Sequence, residues 1–290
     1  MLMEISKEVR ATLLGATPLV SVVMATYAGD HERHLAQAIG SILAQDYLNI
    51  ELLIVVDGPV PAERMQFLER VAANARVRLL HVVKNSGPAH ARNLGISHAS
   101  GSFIAIMDAD DFAKPDRISH QLEAIDRSGL DVISSDLDII DEDGNVTGCR
   151  TVPRSHRAIR ASAPFRCPLH NPSLFAKTSV LKENPYDVGL RVGEDYELWI
   201  RLMLKGYRFG NTSYRCVSYR QSPAAVVKRT GIKYAVSDFR IKVGAVSLAS
   251  FPKKPLVLIF AVGTAIARLL PMPVFGRLYS TREQFFAILK

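Results

Sequence analysis

The stretch NSGPAHARNLGISHASGSFIAIMDADD, residues 85–111, decides the fold of this chain. Gly87-Pro88 suits a loop running into a helix, because proline in the first helical turn gives up an N–H that has no helical partner. Ala89–Ala99 reads as that helix. Phe103–Met107 is an apolar run of strand length. It ends in Asp108, Asp110 and Asp111, three carboxylates within four positions. Like charges so close repel unless a cation or protons offset them. Spacing alone leaves two readings. The acids could hold a hard divalent cation, Mg²⁺ or Mn²⁺, which often takes only one or two protein oxygens when phosphates supply the rest. They could equally form an acidic turn capping a helix that begins near Pro115.

Upstream the same alternation repeats. Leu19–Thr26, Ile50–Val56 and Val77–Val83 read as strands, rich in β-branched residues. Between them Leu35, Ala38, Ile39, Ile42 and Leu43 fall at helical spacing, as do Met65, Leu68 and Val71. Strand–helix repetition predicts an α/β fold with a mostly parallel, twisted sheet and helices on both faces. In such sheets ligands sit beyond the carboxyl ends of the strands. Thr26-Tyr27, Asp57 and the acidic cluster all lie at those ends. Tyr27 and Asp57 could clamp a nucleobase or merely pack and end a strand. Arg92, one turn after Pro88, could face a phosphate at the helix start or lie on the surface.

Downstream the pattern loosens. Val132–Ile140 and Val146–Arg150 flank Asp143-Gly144-Asn145, which predicts a hairpin. Glu194-Asp195 opens a helix running to about Lys205. Acids in a first turn are stabilised by the helix dipole, and a carboxylate kept ionised there is also a competent general base. His170 precedes Asn171-Pro172 and could contact a metal or acceptor, or be a structural histidine. Leu256–Ala267 is apolar for 12 residues. A span needs about 20, so an interfacial or buried helix is expected.

The 290 residues carry a net charge of +8, unevenly spread. From Arg201 onward 16 Lys and Arg face 2 acids, and the first 200 residues are acidic on balance. A basic tail calls for an anionic partner, such as lipid headgroups, a diphosphate or nucleic acid, and the surface of a membrane is expected. Nucleic acid would not explain the acidic front half and is not expected. Three scattered cysteines without metal-ligand spacing, and no signal-peptide pattern at the start, predict free thiols in a reducing compartment. The dinucleotide and P-loop fingerprints are absent.

Taken together, five blocks in order resemble the family-2 glycosyltransferases, which have the GT-A fold: residues 18–29 (PLVSVVMATYAG), 41–59, 85–111, 167–181 and 192–207 (VGEDYELWIRLMLKGY). The resemblance implies an N-terminal extension over 1–17, a GT-A domain over 18–222 and a basic, amphipathic helical tail over 223–290. Thr26, Tyr27 and Asp57 would surround the nucleobase and ribose of a nucleotide-sugar, with a UDP-sugar expected. Arg92 would hold the nucleotide. Asp108 and Asp110 match the D-x-D motif, Asp110 as direct metal ligand for Mn²⁺ or Mg²⁺ and Asp108 nearer the ribose and metal. Asp195 matches the catalytic base. Val56-Asp57-Gly58-Pro59 lacks the second acid usual in that block, and the Q-x-x-R-W motif of processive members is replaced by Tyr219-Arg220-Gln221. Addition of a single sugar is therefore expected, as in bacterial exopolysaccharide, capsule or lipopolysaccharide synthesis of the amylovoran type. The acceptor would be a saccharide on a polyprenyl diphosphate or another glycan, met at the cytoplasmic face of the membrane.

Overall fold

The computed structural model describes residues 17–190, 192–221, 230–250 and 252–270. The expected N-terminal extension, residues 222–229 and the tail beyond residue 270 therefore lie outside the described residues.

The first half follows the sequence pattern closely. Strands β1 (Val20–Thr26), β2 (Ile50–Asp57), β3 (Val77–Val82) and β4 (Phe103–Asp108) alternate with helices α1 (Glu32–Leu43), α2 (Ala62–Ala72) and α3 (Pro88–His98). These four strands pair in parallel in the order β3-β2-β1-β4. Side chains alternate across a strand, so β1 sends Val22 and Met24 to one face and Val23 to the other. The first pair packs with Leu35 and Ile39 of α1, and Val23 packs with Ile96 of α3. Helix α3 lies so close to the sheet that a Cβ on Gly95 would meet Val23 Cγ1 at 2.4 Å.

The second half departs from the expected mostly parallel sheet. Past the acidic turn come β5 (Phe112–Ala113), α4 (Arg117–Ser128), β6 (Val132–Ile140), β7 (Val146–Arg150), α5 (His156–Ser162), β8 (Phe175–Lys177), α6 (Thr178–Glu183), α7 (Glu194–Leu204) and β9 (Phe209–Arg220). The nine-stranded sheet continues from β4 through β8, β6 and β9 to β5, with β7 beside β6. Here β8 runs antiparallel to both β4 and β6, β7 to β6 and β5 to β9, and only β6 and β9 are parallel. The reason is local. Parallel neighbours need a long crossover, whereas β6 and β7 are joined by a tight turn over residues 141–145, around the Asp143-Gly144-Asn145 expected from sequence. In that turn the Asp141 carboxylate accepts N–H bonds from Asp143 and Asn145, and Gly144 supplies a φ of +92°.

Two further helices, α8 (Ile232–Gly244) and α9 (Lys254–Ala267), form a hairpin against the start of α7. A buried ionic cluster holds it together. Asp238 binds both Lys242 and Arg268, and Thr264 donates to the same carboxylate at 3.0 Å. Along α9 only Val257 and Ala261 are buried, while Leu256, Leu258, Ile259, Val262 and Ile266 are exposed. The helix is thus not the buried one that was the alternative from sequence. Among the described residues no helix is long and apolar enough to cross a membrane.

Candidate active site

Strand register brings the expected residues to one rim. Ala25 of β1 lies beside Asp108 of β4, and Thr26 beside Val56, one residue before Asp57. These strands stop at about the same level, so their terminal polar residues lie along one rim of the sheet.

The acidic turn does not cap a helix. Helix α4 begins only at Arg117, and its N-cap Asp116 makes no side-chain cap bond. Instead Arg220, at the end of β9, clasps the turn. Its backbone N–H donates to Asp111 Oδ1 at 2.8 Å, and its Nε donates to the Asp110 carbonyl at 3.0 Å. Behind the turn the buried Arg117 donates to the carbonyls of Ile106 and Leu174, and burial lowers its pKa to about 10. The Asp110 carboxyl is pushed up to about 6, first by burial and then by Asp108. Burial and the two neighbouring acids raise Asp111 well above the carboxylate range, and its buried Oδ2 has no hydrogen-bond partner. Three carboxylates crowded into one turn repel one another and a divalent cation would offset them, so the donor set at Asp108 and Asp110 fits a metal. Among the described residues no group of three or more His, Cys, Asp or Glu side chains could hold one unaided, which leaves the other coordination positions to ligand oxygens and water.

Arg92 is the hub of the site. From α3 it donates to Asp108 Oδ1 at 2.9 Å and to Glu194 Oε1 at 2.8 Å, with its guanidinium 5.7 Å from the Tyr186 ring centre. Its side chain is only 11 % exposed. Burial alone would favour the neutral form, but Asp108, Tyr186 and Glu194 outweigh it and hold the arginine charged. Glu194, buried and beside Asp195, is raised from the usual glutamate range despite Arg92. The reading of Arg92 as a surface residue is thereby excluded.

Glu194 and Asp195 sit in the first turn of α7, after Gly193 in left-handed conformation (φ +76°). Asp195 Oδ1 accepts the N–H of Tyr196 at 2.7 Å. A cavity of about 910 Å³ joins Asp195 and Glu194 to Arg92, Asp108 and His170, so the carboxyl end of β4 opens into the same space as the start of α7.

Asp57 and Tyr27 stand on the rim outside that cavity. Asp57 accepts from the N–H groups of Ser86 and Gly87, both at 2.8 Å, one on each oxygen. It therefore ties down the loop that enters α3. Tyr27 is 44 % exposed. Sequence reasoning missed Asp30, whose Oδ2 accepts both the Thr26 hydroxyl (2.8 Å) and the Tyr27 N–H (3.0 Å). It also missed Arg64, which donates to the carbonyls of Tyr27 and Asp30. The signal for Asp30 was its position in the turn directly after β1. Arg64 lies 34 residues further on, in α2, and carried none.

A parallel nucleotide-binding half passing into a mixed half, with an acidic turn closing the central strand β4, is the GT-A architecture of nucleotide-sugar-dependent transferases. Comparison with known proteins agrees. The model of the family described as "Glycosyl transferase family 2" matches residues 21–181. An uncharacterized glycosyltransferase, MJ1057 of Methanocaldococcus jannaschii, is 32 % identical over 208 residues, 70 % of this chain and 71 % of its own. The amylovoran biosynthesis glycosyltransferase AmsE of Erwinia amylovora is 28 % identical over 267 residues, 90 % of this chain and 98 % of its own. Among solved structures, S. aureus TarS 1–349 in complex with UDP-GlcNAc superposes with a TM-score of 0.64 at 18 % identity, covering 83 % of this chain and 70 % of that one. The mannosyltransferase PcManGT from Pyrobaculum calidifontis, in complex with GDP-Man and Mn²⁺, gives 0.57 at 18 % identity, covering 92 % and 80 %. This chain belongs to glycosyl transferase family 2.

Proposed function

We propose that this chain transfers a single sugar from a nucleotide-sugar to an acceptor hydroxyl, with inversion, during synthesis of a bacterial surface polysaccharide. The observation that carries the reading is the cavity in which Asp108, Arg92, Glu194 and Asp195 meet. The similarity to AmsE, named for amylovoran biosynthesis, supports the polysaccharide assignment.

Asp110 and Asp108 would hold Mn²⁺ or Mg²⁺. When bound, the cation supplies charge stabilisation for the departing nucleoside diphosphate. Arg92 is held charged beside its two carboxylates, so a cation stands ready to meet the donor. Asp195, in the first turn of α7, accepts the proton of the attacking hydroxyl. Glu194, occupied by Arg92, keeps that arginine beside Asp195 and is not the base. An ionised Asp57 carboxylate only accepts hydrogen bonds, and both its oxygens retain lone pairs after bonding the loop. It suits a base with a ring N–H, such as uracil or guanine; a UDP-sugar is our first choice, and GDP- and dTDP-sugars are its competitors.

General-base help is worth about 10²–10⁴-fold. Asp195→Asn should therefore lower kcat by that order and leave donor affinity within about twofold, measured with a panel of UDP-, GDP- and dTDP-sugars with Mn²⁺ and with EDTA. Near-normal turnover would move the base elsewhere. The exposed apolar face of α9 and the surplus of Lys and Arg from residue 201 onward support peripheral attachment to the cytoplasmic face of the membrane. Each basic residue near anionic lipid contributes roughly 1 kcal/mol. A wash in high salt should strip the protein from membranes; retention until detergent is added would mean insertion instead.

A further inference from the structure

The α8–α9 hairpin has two distinct faces. Its outer face is apolar: ten of the seventeen large apolar side chains exposed among the described residues lie between residues 232 and 269. On α8, Ile232, Val236, Phe239 and Val243 follow one another at steps of four, three and four residues, which aligns them in one exposed stripe. On α9, Ile259, Val262 and Ile266 point away from the buried Val257 and Ala261. The charged side chains exposed on the hairpin are all basic, Lys233, Arg240, Lys253 and Lys254, and its one acid, Asp238, is buried.

The inner face touches the site. Ser237 Oγ donates to the Val192 carbonyl at 2.6 Å. Ile241 belongs to the same apolar cluster as Tyr196 and Trp199 of α7, and a Cβ on Gly193 would meet its Cδ1 at 2.8 Å. Val192 and Gly193 directly precede Glu194 and Asp195. Ser237 and Ile241 also line the cavity that holds those acids.

A large exposed apolar patch marks a surface that is covered in use. The charges select what covers it. Apolar side chains bordered only by cations match an anionic bilayer, where the first enter the acyl boundary and the second meet headgroups. The length of α9 fits as well. Its 14 residues at 1.5 Å each make about 21 Å, too short for the roughly 30 Å of hydrocarbon in a bilayer and suited to lying along its surface. We infer that the hairpin docks on an anionic lipid surface and that docking is passed through Ser237 and Ile241 to the start of α7, so that the bilayer orders the turn carrying Asp195. The inference rests on the membrane reading given above and adds what the bilayer does to the site. Lipid favours the arrangement that presents both apolar faces, and that arrangement also seats Ser237 on Val192.

The test is hydrogen exchange of the full chain with and without phosphatidylglycerol vesicles, with neither donor nor metal added. Vesicles should slow exchange about tenfold in α8 and α9 and about threefold over residues 193–197. Ile259→Ser/Ile266→Ser changes two exposed positions, so it should keep the wild-type melting curve and lose vesicle binding in a sedimentation assay. Lys253→Gln and Lys254→Gln should each weaken that binding about fivefold, and phosphatidylcholine vesicles should bind far less. Ser237→Ala should bind vesicles like wild type and lose most of the slowing over 193–197. The inference is overturned if bound vesicles leave exchange over 193–197 unchanged, or if Ser237→Ala retains that slowing. It is also overturned if vesicles do not bind; a dimer split by Ile259→Ser/Ile266→Ser would then assign the face to a second copy. Slowing over 193–197 in a protein that turns over no nucleotide-sugar with Mn²⁺ would end the transferase reading and leave the docking element standing. Turnover without any vesicle effect would do the reverse.

Discussion

Replacing Arg92 by methionine keeps the length of the side chain and removes the cation between Glu194 and Asp108. Both ion pairs are short and the arginine is nearly buried. Removing one partner of a buried pair costs about 3–5 kcal/mol. The lower end applies here, because the Asp108 side chain is 28 % exposed and can hydrate. About 3 kcal/mol corresponds to a fall in Tm of roughly 6–12 °C for a chain of this size. The loss should depend on pH, and its direction follows from Glu194. Burial and Asp195 raise the folded-state pKa of that carboxyl, while Arg92 opposes them. A group raised in the folded state contributes its full stability below the unfolded value and loses it as pH rises through the folded value. Deleting Arg92 raises Glu194 further, so the variant is most handicapped on the alkaline side. Urea unfolding at pH 8 and pH 5.5, followed by the fluorescence of the single, fully buried tryptophan Trp199, measures both. The deficit should be clearly smaller at pH 5.5, and Arg92→Met/Glu194→Gln should recover part of it at pH 8. Equal deficits at both pH values, with no recovery in the double variant, would refute the account of Arg92 as the charge that opposes the upward shift of Glu194.

Gly193→Ala places a β-carbon in a left-handed residue (φ +76°) and 2.8 Å from Ile241 Cδ1. The conformation alone costs about 1–2 kcal/mol, so Tm should drop by several degrees and kcat should fall more than donor affinity, because α7 carries Asp195; an unchanged melting curve would contradict the strain. Asp238→Asn leaves Lys242 and Arg268 without their shared counter-charge, at a cost of about 3 kcal/mol to the α8–α9 hairpin, read as faster hydrogen exchange in α8. In the folded protein, burial would raise the Asp238 pKa, but Lys242 and Arg268 bring it below the ordinary value. Its contribution is therefore present above the unfolded pKa of about 3.9 and lost as pH falls through the lower folded value. The variant and wild type should converge at strongly acidic pH, and a gap that persists there would show that the charge is not what holds the hairpin.

The first half of the fold was legible because its elements are local. The parallel strands are mostly apolar runs rich in β-branched residues, the helices repeat at 3.6 residues, and the polar residues that end β1, β2 and β4 must emerge at the sheet's carboxyl rim. The positions of Thr26, Asp57 and Asp108 follow from that geometry. The second half was less readable because its order in the sheet, with β8 between β4 and β6 and β5 beside β9, is set by contacts between residues up to 106 positions apart (Phe112 beside Ser218), and no local period records them. The same limit separates the site residues. Asp110 and Asp195 stood out as acids at a strand end and a helix start. Arg220 did not, since its work on the acidic turn depends on a strand more than 100 residues away.

Arg92 shows why residue type and position could not settle a role by themselves. In sequence it is one of 36 basic residues, in a helix that also offers His90. The fold gives it a function by bringing two carboxylates to it from different directions, Asp108 at the end of β4 and Glu194 at the start of α7. Those two elements belong to the two halves of the domain: β4 to the nucleotide-binding half, α7 to the half that carries the proposed base. On the proposed function, a single guanidinium bonded to both would fix the distance between donor and base. A donor phosphate that competes for Arg92 would weaken its hold on Asp108 or Glu194, so the geometry of the acceptor side is coupled to occupancy of the donor side by one pair of hydrogen bonds. That coupling is what Arg92→Lys would expose: lysine keeps the charge but offers no planar fork that can bind both carboxylates at once. It should preserve most of the stability that Arg92→Met loses and still lower kcat. If Arg92→Lys turned over at the wild-type rate, charge alone would suffice and the arginine would not be setting the distance.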